Sequence, residues 1–318
     1  AGEPASYTGS GAQGFPGFYP RNVVDAHRRN ISGYIDIEAE LTSRFLVAVA
    51  GRVEDYSDFG STANGKVSAR FDATDWFALR GTASTGFRAP SLQQQYYTSI
   101  TSVVVGGDVL LTGHYPPTNI VAERLGGLPL EPEKSTNFSF GGVVHSGAFS
   151  LTVDAYQIKL RNQIALSENI RGTGAPGDPI NAILDPLEVQ AARFFINGVR
   201  STTKGVDVVA NYKARSENLG TFDFTLAANF NDIDLTRVPT STSTLNPAPT
   251  LFGRSRILTL EEGTPRTKIT GAIDWSGDLL GATLRTTYYG GGNPPAPPPP
   301  GPGDILTRQQ VIPPPPHR

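Results

Sequence analysis

The residues that could do chemistry are few. The 318-residue chain has no cysteine and four histidines, His27, His114, His145 and His317. Without thiols there is no disulfide framework, no thiolate metal site and no cysteine nucleophile. None of the histidines sits at H-E-x-x-H or another metal-ligand spacing, so no metal site is expected. There is no G-x-S-x-G, and no Ser/His/Asp set stands out. Gly9-Ser10-Gly11 and Gly172-Thr173-Gly174 are glycine-rich, but no helix pattern follows them, so they do not read as phosphate loops. No catalytic residue and no cofactor is expected. What remains is binding chemistry. Tyr96, Tyr97, Asp108, His114, Tyr115, Glu123 and Arg124 gather in one long segment without strand patterning. Aromatic faces suit sugars and planar chelates alike, and His114 could help bind a metal chelate. Each of the seven reads equally well as loop self-packing, and His114 as a plain surface histidine.

These residues must be positioned by something other than a membrane helix or a basic domain. Net charge is −2 and the isoelectric point about 6.1, which gives no argument for nucleic acid. The longest strongly apolar run, Phe45 to Gly51, is far short of the ~18 residues of a membrane helix. The chain has no methionine and opens on Ala1-Gly2-Glu3-Pro4, with neither a basic n-region nor an apolar h-region. It therefore reads as a processed chain or a fragment.

Period-two alternation dominates. Ile35, Ile37, Ala39 and Leu41 alternate with Asp36, Glu38 and Glu40; Phe222, Phe224, Leu226, Ala228 and Phe230 alternate with Asp223, Thr225 and Asn229. About ten such strands can be read, each near the ~9–11 residues that cross a bilayer at a tilt. In Phe149 to Tyr156 the parity slips near Tyr156, which predicts a bulge or a strand end there. The connections alternate in length. Thr42-Ser43, Ala73–Asp75, Ser146-Gly147, Arg215–Gly220 and Ser276–Asp278 are short and Gly60–Asn64 is medium. Ser91–Ser135, Ser167–Arg193 and Pro239–Thr264 are long. Compact soluble domains rarely hold several loops of this length, whereas outer-membrane barrels place tight turns at one face and long loops at the other. Tyr34, Tyr56, Phe59, Trp76, Phe77, Tyr212, Trp275, Tyr288 and Tyr289 sit mostly near strand ends, where interfacial girdles lie. Glu38, Arg52, Arg70, Arg80, Asp154 and Asp207 sit in mid-strand, which a wet lumen or a solvated face tolerates and a dry core does not. Alternation alone also fits a soluble sandwich. The loop rhythm and the aromatics favour an all-β, antiparallel transmembrane barrel.

Gly86-Phe87-Arg88-Ala89-Pro90 resembles the Phe-Arg-Ala-Pro signature in the barrel of TonB-dependent outer-membrane receptors. Val53 to Gly60 with Lys66 to Phe71 is similar to the family's preceding hairpin. Leu130-Glu131-Pro132-Glu133-Lys134 resembles its entry into the next strand, and Phe194 to Val199 with Gly205-Val206-Asp207-Val208 a later strand start. The four occur in the family's order, between about residues 30 and 290. The resemblance implies ten or so strands of a barrel of about 22, with short periplasmic turns and long exterior loops, in the outer membrane of a Gram-negative bacterium. It implies an active-transport receptor for a scarce nutrient such as a ferric siderophore, cobalamin or an oligosaccharide. TonB with ExbB and ExbD would energise it through a plug and TonB box that this chain lacks; outer-membrane lipid would surround it. Arg88 is expected at the rim, facing a carboxylate or the barrel interior, and Pro90 ends the ladder because it has no N–H.

Residues 1–290 thus read as partial barrel, with 1–29 the remnant of an exterior loop. Residues 291–318 are Pro-rich and cannot pair in a ladder. They read as a disordered tail, the other reading being a polyproline ligand. A small barrel without a plug, serving as passive pore, adhesin or outer-membrane hydrolase, is the other functional reading.

Overall fold

The computed structural model describes residues 22–105, 108–239, 243 and 245–291, without the side chains of 103–110 and 255. Residues 1–21, most of the expected loop remnant, and the Pro-rich tail from 292 onward lie outside them. In chain order the elements are β1 (Asn30–Thr42), β2 (Phe45–Tyr56), β3 (Gly60–Asp72), β4 (Phe77–Arg88), α1 (Leu92–Tyr96), β5 (Ser99–Val105), β6 (Asp108–His114), α2 (Ile120–Arg124), β7 (Glu133–Ser146), β8 (Phe149–Leu166), α3 (Pro179–Leu184), β9 (Ala191–Arg193), β10 (Phe195–Ser216), β11 (Gly220–Arg237), α4 (Arg254–Glu262), β12 (Thr267–Ser276) and β13 (Gly281–Tyr289). Ten strands form one antiparallel sheet in the order β1-β2-β3-β4-β7-β8-β10-β11-β12-β13. Each pairs with its neighbour in the sequence, apart from the loop strands β5, β6 and β9. This is the up-and-down order of a barrel wall. No helix among the described residues is long and apolar enough to cross a membrane.

The medium connection expected at Gly60–Asn64 is instead the start of β3. The turn is Ser57-Asp58-Phe59, and Tyr56 pairs with Gly60. The long segment Ser91–Ser135 carries α1, β5, β6 and α2. Ser91 caps α1: its side chain accepts from Gln94 N, while the Gln94 side chain accepts from Ser91 N. This capping box explains why Pro90 is followed by Ser-Leu-Gln-Gln-Gln.

One face of the sheet points to the barrel interior and gives most of the mid-strand charges a polar partner; Glu38, on the edge strand β1, has none among the described residues. Arg52 bonds Glu54, which also accepts from Tyr56 Oη at 2.7 Å; Arg70 bonds Asp72 at 2.9 Å; Asp207 accepts from Asn229 at 2.6 Å. Arg80 and Asp154 pair across a whole intervening strand, because the residue between them in the register is Gly141. A Cβ at Gly141 would collide with Asp154 Oδ1 and with the Val153 carbonyl. Tyr156 likewise lies over Gly205, and its hydroxyl accepts from Asn229 on the strand beyond at 3.1 Å.

The other face is apolar and exposed, with Ile35, Val49, Val67, Phe140, Val153, Phe224 and Leu226 all open. Hydrocarbon is the solvent that suits such a face. At the short-turn end it is edged by aromatic contacts: Phe45–Phe71, Trp76–Phe77, Tyr212–Phe224 and Phe222–Trp275, at 5.9–6.4 Å.

The parity slip at Tyr156 is not a bulge. Both ladders of β8 run unbroken through it, and the first register shift lies further on, beside Asn162, at φ 58°. The polarity changes while the backbone does not. Below this level the outward residues are Phe140, Ala155, Val206 and Phe230; the next outward row is Phe138, Gln157, Lys204 and Asp232, and the one above it Thr136, Lys159, Thr202 and Asp234. The strand passes out of hydrocarbon into water without losing its pairing. For the same reason β8, β10 and β11 run to 18, 22 and 18 residues, well beyond the expected crossing length.

At the long-loop end four strands are tied by one polar clamp. Glu133, with its side chain buried, accepts from Arg88 Nη2 at 2.6 Å and from Ile164 N at 2.8 Å. This is the rim carboxylate expected opposite Arg88. Asn162 donates to Glu131 Oε2 at 3.0 Å. Asn197 donates to the carbonyls of Glu131 and Asn162 at 2.9 and 2.8 Å and accepts from Glu131 N at 2.8 Å. The motif residues Arg88, Glu131, Glu133 and Asn197 are therefore one structure, joining β4, β7, β8 and β10. A second tie lies beside it. Arg28 bonds Asp58 at 2.6 Å and the Pro90 carbonyl at 2.5 Å, over the Tyr56 and Phe59 rings.

Two outcomes follow for urea unfolding of the chain in detergent. Glu133→Ala strands the buried Ile164 N–H and lowers stability by about 2–3 kcal/mol, whereas Glu133→Gln keeps an acceptor and costs about 1 kcal/mol. Gly141→Ala forces apart Asp154 and the β8 backbone, at a cost of about 1–3 kcal/mol; the same change at the open Gly33 costs under ~1 kcal/mol.

Candidate functional site

Above the rim the loops fold into a layer of their own. β5 and β6 form an antiparallel hairpin, and β9 adds to β6 in parallel, so two distant connections share one small sheet. Alternation gives that sheet two faces. Ile100, Leu111 and Ala192 turn to an apolar core that includes Leu125, Leu184, Phe194, Val199 and Leu251. The opposite face carries Ser99, Thr101, Thr112, His114 and Arg193, set side by side by the pairs Ser99↔His114, Thr101↔Thr112 and His114↔Arg193.

All five of these side chains hold a buried polar atom with no hydrogen-bond partner: Ser99 Oγ, Thr101 Oγ1, Thr112 Oγ1, His114 Nε2 and Arg193 Nε. Each such atom costs about 1–3 kcal/mol. Native proteins keep few of them, and a cluster on one face calls for an explanation. His114 is 6% exposed. Burial, and then the charge of Arg193, push its pKa down to about 4, so it is neutral at pH 7. The Tyr97 ring meets it edge-on at 5.2 Å, and the Phe195 ring lies 5.3 Å away. Burial, followed by the charge of Arg256 on α4, lowers the Arg193 pKa. A guanidinium stays cationic regardless. Among the described residues no carboxylate pairs with Arg193 or Arg256. Two loop cations, a neutral imidazole and three hydroxyls beside aromatic rings are suited to an anionic, partly aromatic ligand.

Of the seven residues singled out by sequence, His114 and Tyr97 meet in this cluster. Tyr96 ends α1, half-buried. Tyr115 belongs to the apolar core, its ring over Gly113. Glu123 and Arg124 are on the exposed side of α2, whose Val121 and Ala122 enter the core. The Asp108 side chain lies outside the described residues. Sequence reasoning missed Ser99, Thr112, Arg193, Phe195 and Arg256. The signal for Arg193 was a charge flanked by Ala191-Ala192 and Phe194-Phe195, an odd place for an ordinary surface arginine. A short helix, α3, does follow Gly172-Thr173-Gly174, contrary to expectation. Its N-terminus is filled by Asp178, which accepts from Thr173 and from the Ile180 and Asn181 amides. Those hydrogen bonds, from Thr173 first, hold the Asp178 carboxyl at about 2. No cluster of metal-ligating side chains occurs among the described residues.

The depressed His114 pKa has a sign that can be checked. The unfolded chain protonates His114 near 6.5 and the folded chain near 4, so stability is full above 6.5 and falls as pH drops toward 4. Between pH 7 and pH 5 the loop layer loses about 2 kcal/mol, read from hydrogen exchange of the β5 and β6 amides. His114→Phe removes that pH dependence.

Comparison with known proteins agrees with this architecture. The sequence matches the family described as TonB dependent receptor-like, beta-barrel over residues 2–304. No curated protein matches it significantly. Among solved structures it is similar to the siderophore receptor PirA from Pseudomonas aeruginosa, at 16% identity and a TM-score of 0.56, over 84% of this chain and 40% of that one. PirA from Acinetobacter baumannii gives 16% identity and 0.53 over 88% and 36%. A doubly substituted form of the ferric enterobactin receptor PfeA from Pseudomonas aeruginosa gives 15% and 0.55 over 92% and 37%. The chain thus spans no more than 40% of the length of these three structures. At such identities the likeness is one of fold. The match over nearly the whole chain shows that it belongs to the β-barrel family of TonB-dependent receptors, proteins of the Gram-negative outer membrane.

Proposed function

We propose that this chain forms part of the barrel of a receptor that takes up a large anionic nutrient complex, with a ferric siderophore as cargo and TonB as the source of drive. The observation that carries the reading is the Arg193 cluster, buried polar groups on the long loops with no carboxylate paired to the arginines among the described residues. An anionic chelate would supply the missing acceptors and counter-charge, and Tyr97 and Phe195 offer ring faces to an aromatic one. The structural neighbours, siderophore and ferric enterobactin receptors, favour the same class of cargo. Energisation through TonB with ExbB and ExbD rests on family membership alone, which assigns those contacts to a plug and TonB box, not to barrel strands. Outer-membrane lipid would cover the apolar face. Strands β1 and β13 are open along their length, and an open edge is not tolerated in hydrocarbon. Further strands would therefore close the wall.

Calorimetry with the chain folded in neutral detergent tests the cargo. A ferric catecholate or ferric hydroxamate is expected to bind, at least tenfold more weakly in Arg193→Ala. If a neutral oligosaccharide binds as well and Arg193→Ala changes nothing, the anionic reading fails. If nothing binds and the folded chain conducts ions freely across a planar bilayer, a passive pore becomes the better account.

A further inference from the structure

Above the level of Tyr156, the outward faces of β7, β8 and β10 carry Lys134, Lys159, Arg161 and Lys204, all exposed. The register sets Lys134 opposite Arg161 and places Lys159 between Thr136 and Thr202, so four cations crowd three neighbouring strands. None of them is in an ion pair among the described residues. Asp232, opposite Lys204, is engaged by Arg266 at 3.2 Å. Directly below, Phe138 and Phe140 on β7 face Phe230 on β11 across the small Ala155 and Val206. They leave an outward groove of about 1040 Å³, with Gln157, Lys204, Asp232 and Arg266 on its upper lip. Its walls stand three strand spacings apart, ~14 Å, and Lys204 is two residues, or ~7 Å, above Val206.

We propose that this face holds an anionic membrane lipid, its phosphate head on Lys134, Lys159, Arg161 and Lys204 and its acyl chains in the groove between Phe140 and Phe230. The inference rests on the sheet spanning the membrane. Unpaired like charges on adjacent strands repel one another, and the outward carboxylates beside them, Asp232 held by Arg266 and Asp234 opposite Thr202, make no ion pair with them among the described residues, so a counter-charge from outside the chain is favoured. At the depth where the outward residues change from apolar to charged, the anion within reach is a lipid phosphate. The gap left by Ala155 and Val206 gives its chains a seat that a flat wall would not. The charged lip and the apolar groove thus select for the two ends of one amphiphile.

The test uses the full chain in neutral detergent, with phosphatidylglycerol, lipid A or phosphatidylcholine titrated in and bound lipid read by native mass spectrometry. Membrane affinity is measured separately, by flotation with pure phosphatidylcholine vesicles. The anionic lipids are expected to be retained at least tenfold better than phosphatidylcholine. The variant Lys134→Gln, Lys159→Gln, Arg161→Gln, Lys204→Gln should lose that preference, with its circular dichroism unchanged. Ala155→Phe, which fills the groove and leaves the cations, should also weaken retention. Lys268→Gln, beside Asn229 on the interior face, should not. Equal retention of all lipids, or an unaltered quadruple variant, overturns the proposal. So does an Ala155→Phe variant that binds normally, or displacement by inorganic phosphate alone, since either would mark a plain anion patch. Failure to float with phosphatidylcholine vesicles overturns the membrane reading itself.

Discussion

Glu133 is the point on which the long-loop end depends. It is a carboxylate with its side chain 8% exposed, and its acceptors face an arginine from β4 and a backbone amide from β8. Removing a buried charge from water is costly unless its lone pairs are filled. Here they are filled by groups on different strands, so the charge cannot be satisfied unless those strands are in register. Asn162 and Asn197 extend the same logic to β10 through Glu131. The loop layer stands directly on this clamp: Ile164 lies two residues before the end of β8, and Arg193 two residues before the start of β10. A slip of one residue in any of the four strands would unseat both.

The wall beneath is organised by a simpler constraint. Each strand has one face for water and one for hydrocarbon, and the interior face pairs its own charges. Glycine does specific work there. Gly141 and Gly205 leave room for Arg80 and Tyr156 to reach over a neighbouring strand, so polar contacts lace three strands at a time, not two.

Much of this was legible in the sequence. The alternation, the order of short and long connections and the four motifs located all ten wall strands, because each rests on a local rule: two-residue periodicity, turn chemistry or a fixed motif. Three things were not legible, for distinct reasons. The strands overrun the bilayer, so hydropathy underestimates their length; what looked like a bulge at Tyr156 is a change of solvent along an unbroken strand. The small sheet in the loops pairs segments far apart in the chain, and non-local pairing leaves no periodic trace in either segment. The Arg193 cluster combines residues from both. Tyr97 and His114 were visible as polar aromatics in a long loop, whereas Arg193 closed another long connection and Phe195 stood in a stretch that read as the start of a strand.

The parallel seam between β6 and β9 has a thermodynamic consequence. It ties the connection between β4 and β7 to the one between β8 and β10, so neither behaves as a free tether. Chain freedom that a ligand would otherwise remove on binding has already been surrendered during folding. The exterior surface is then preorganised, and capture need not carry the entropic penalty of gathering two floppy segments around a guest.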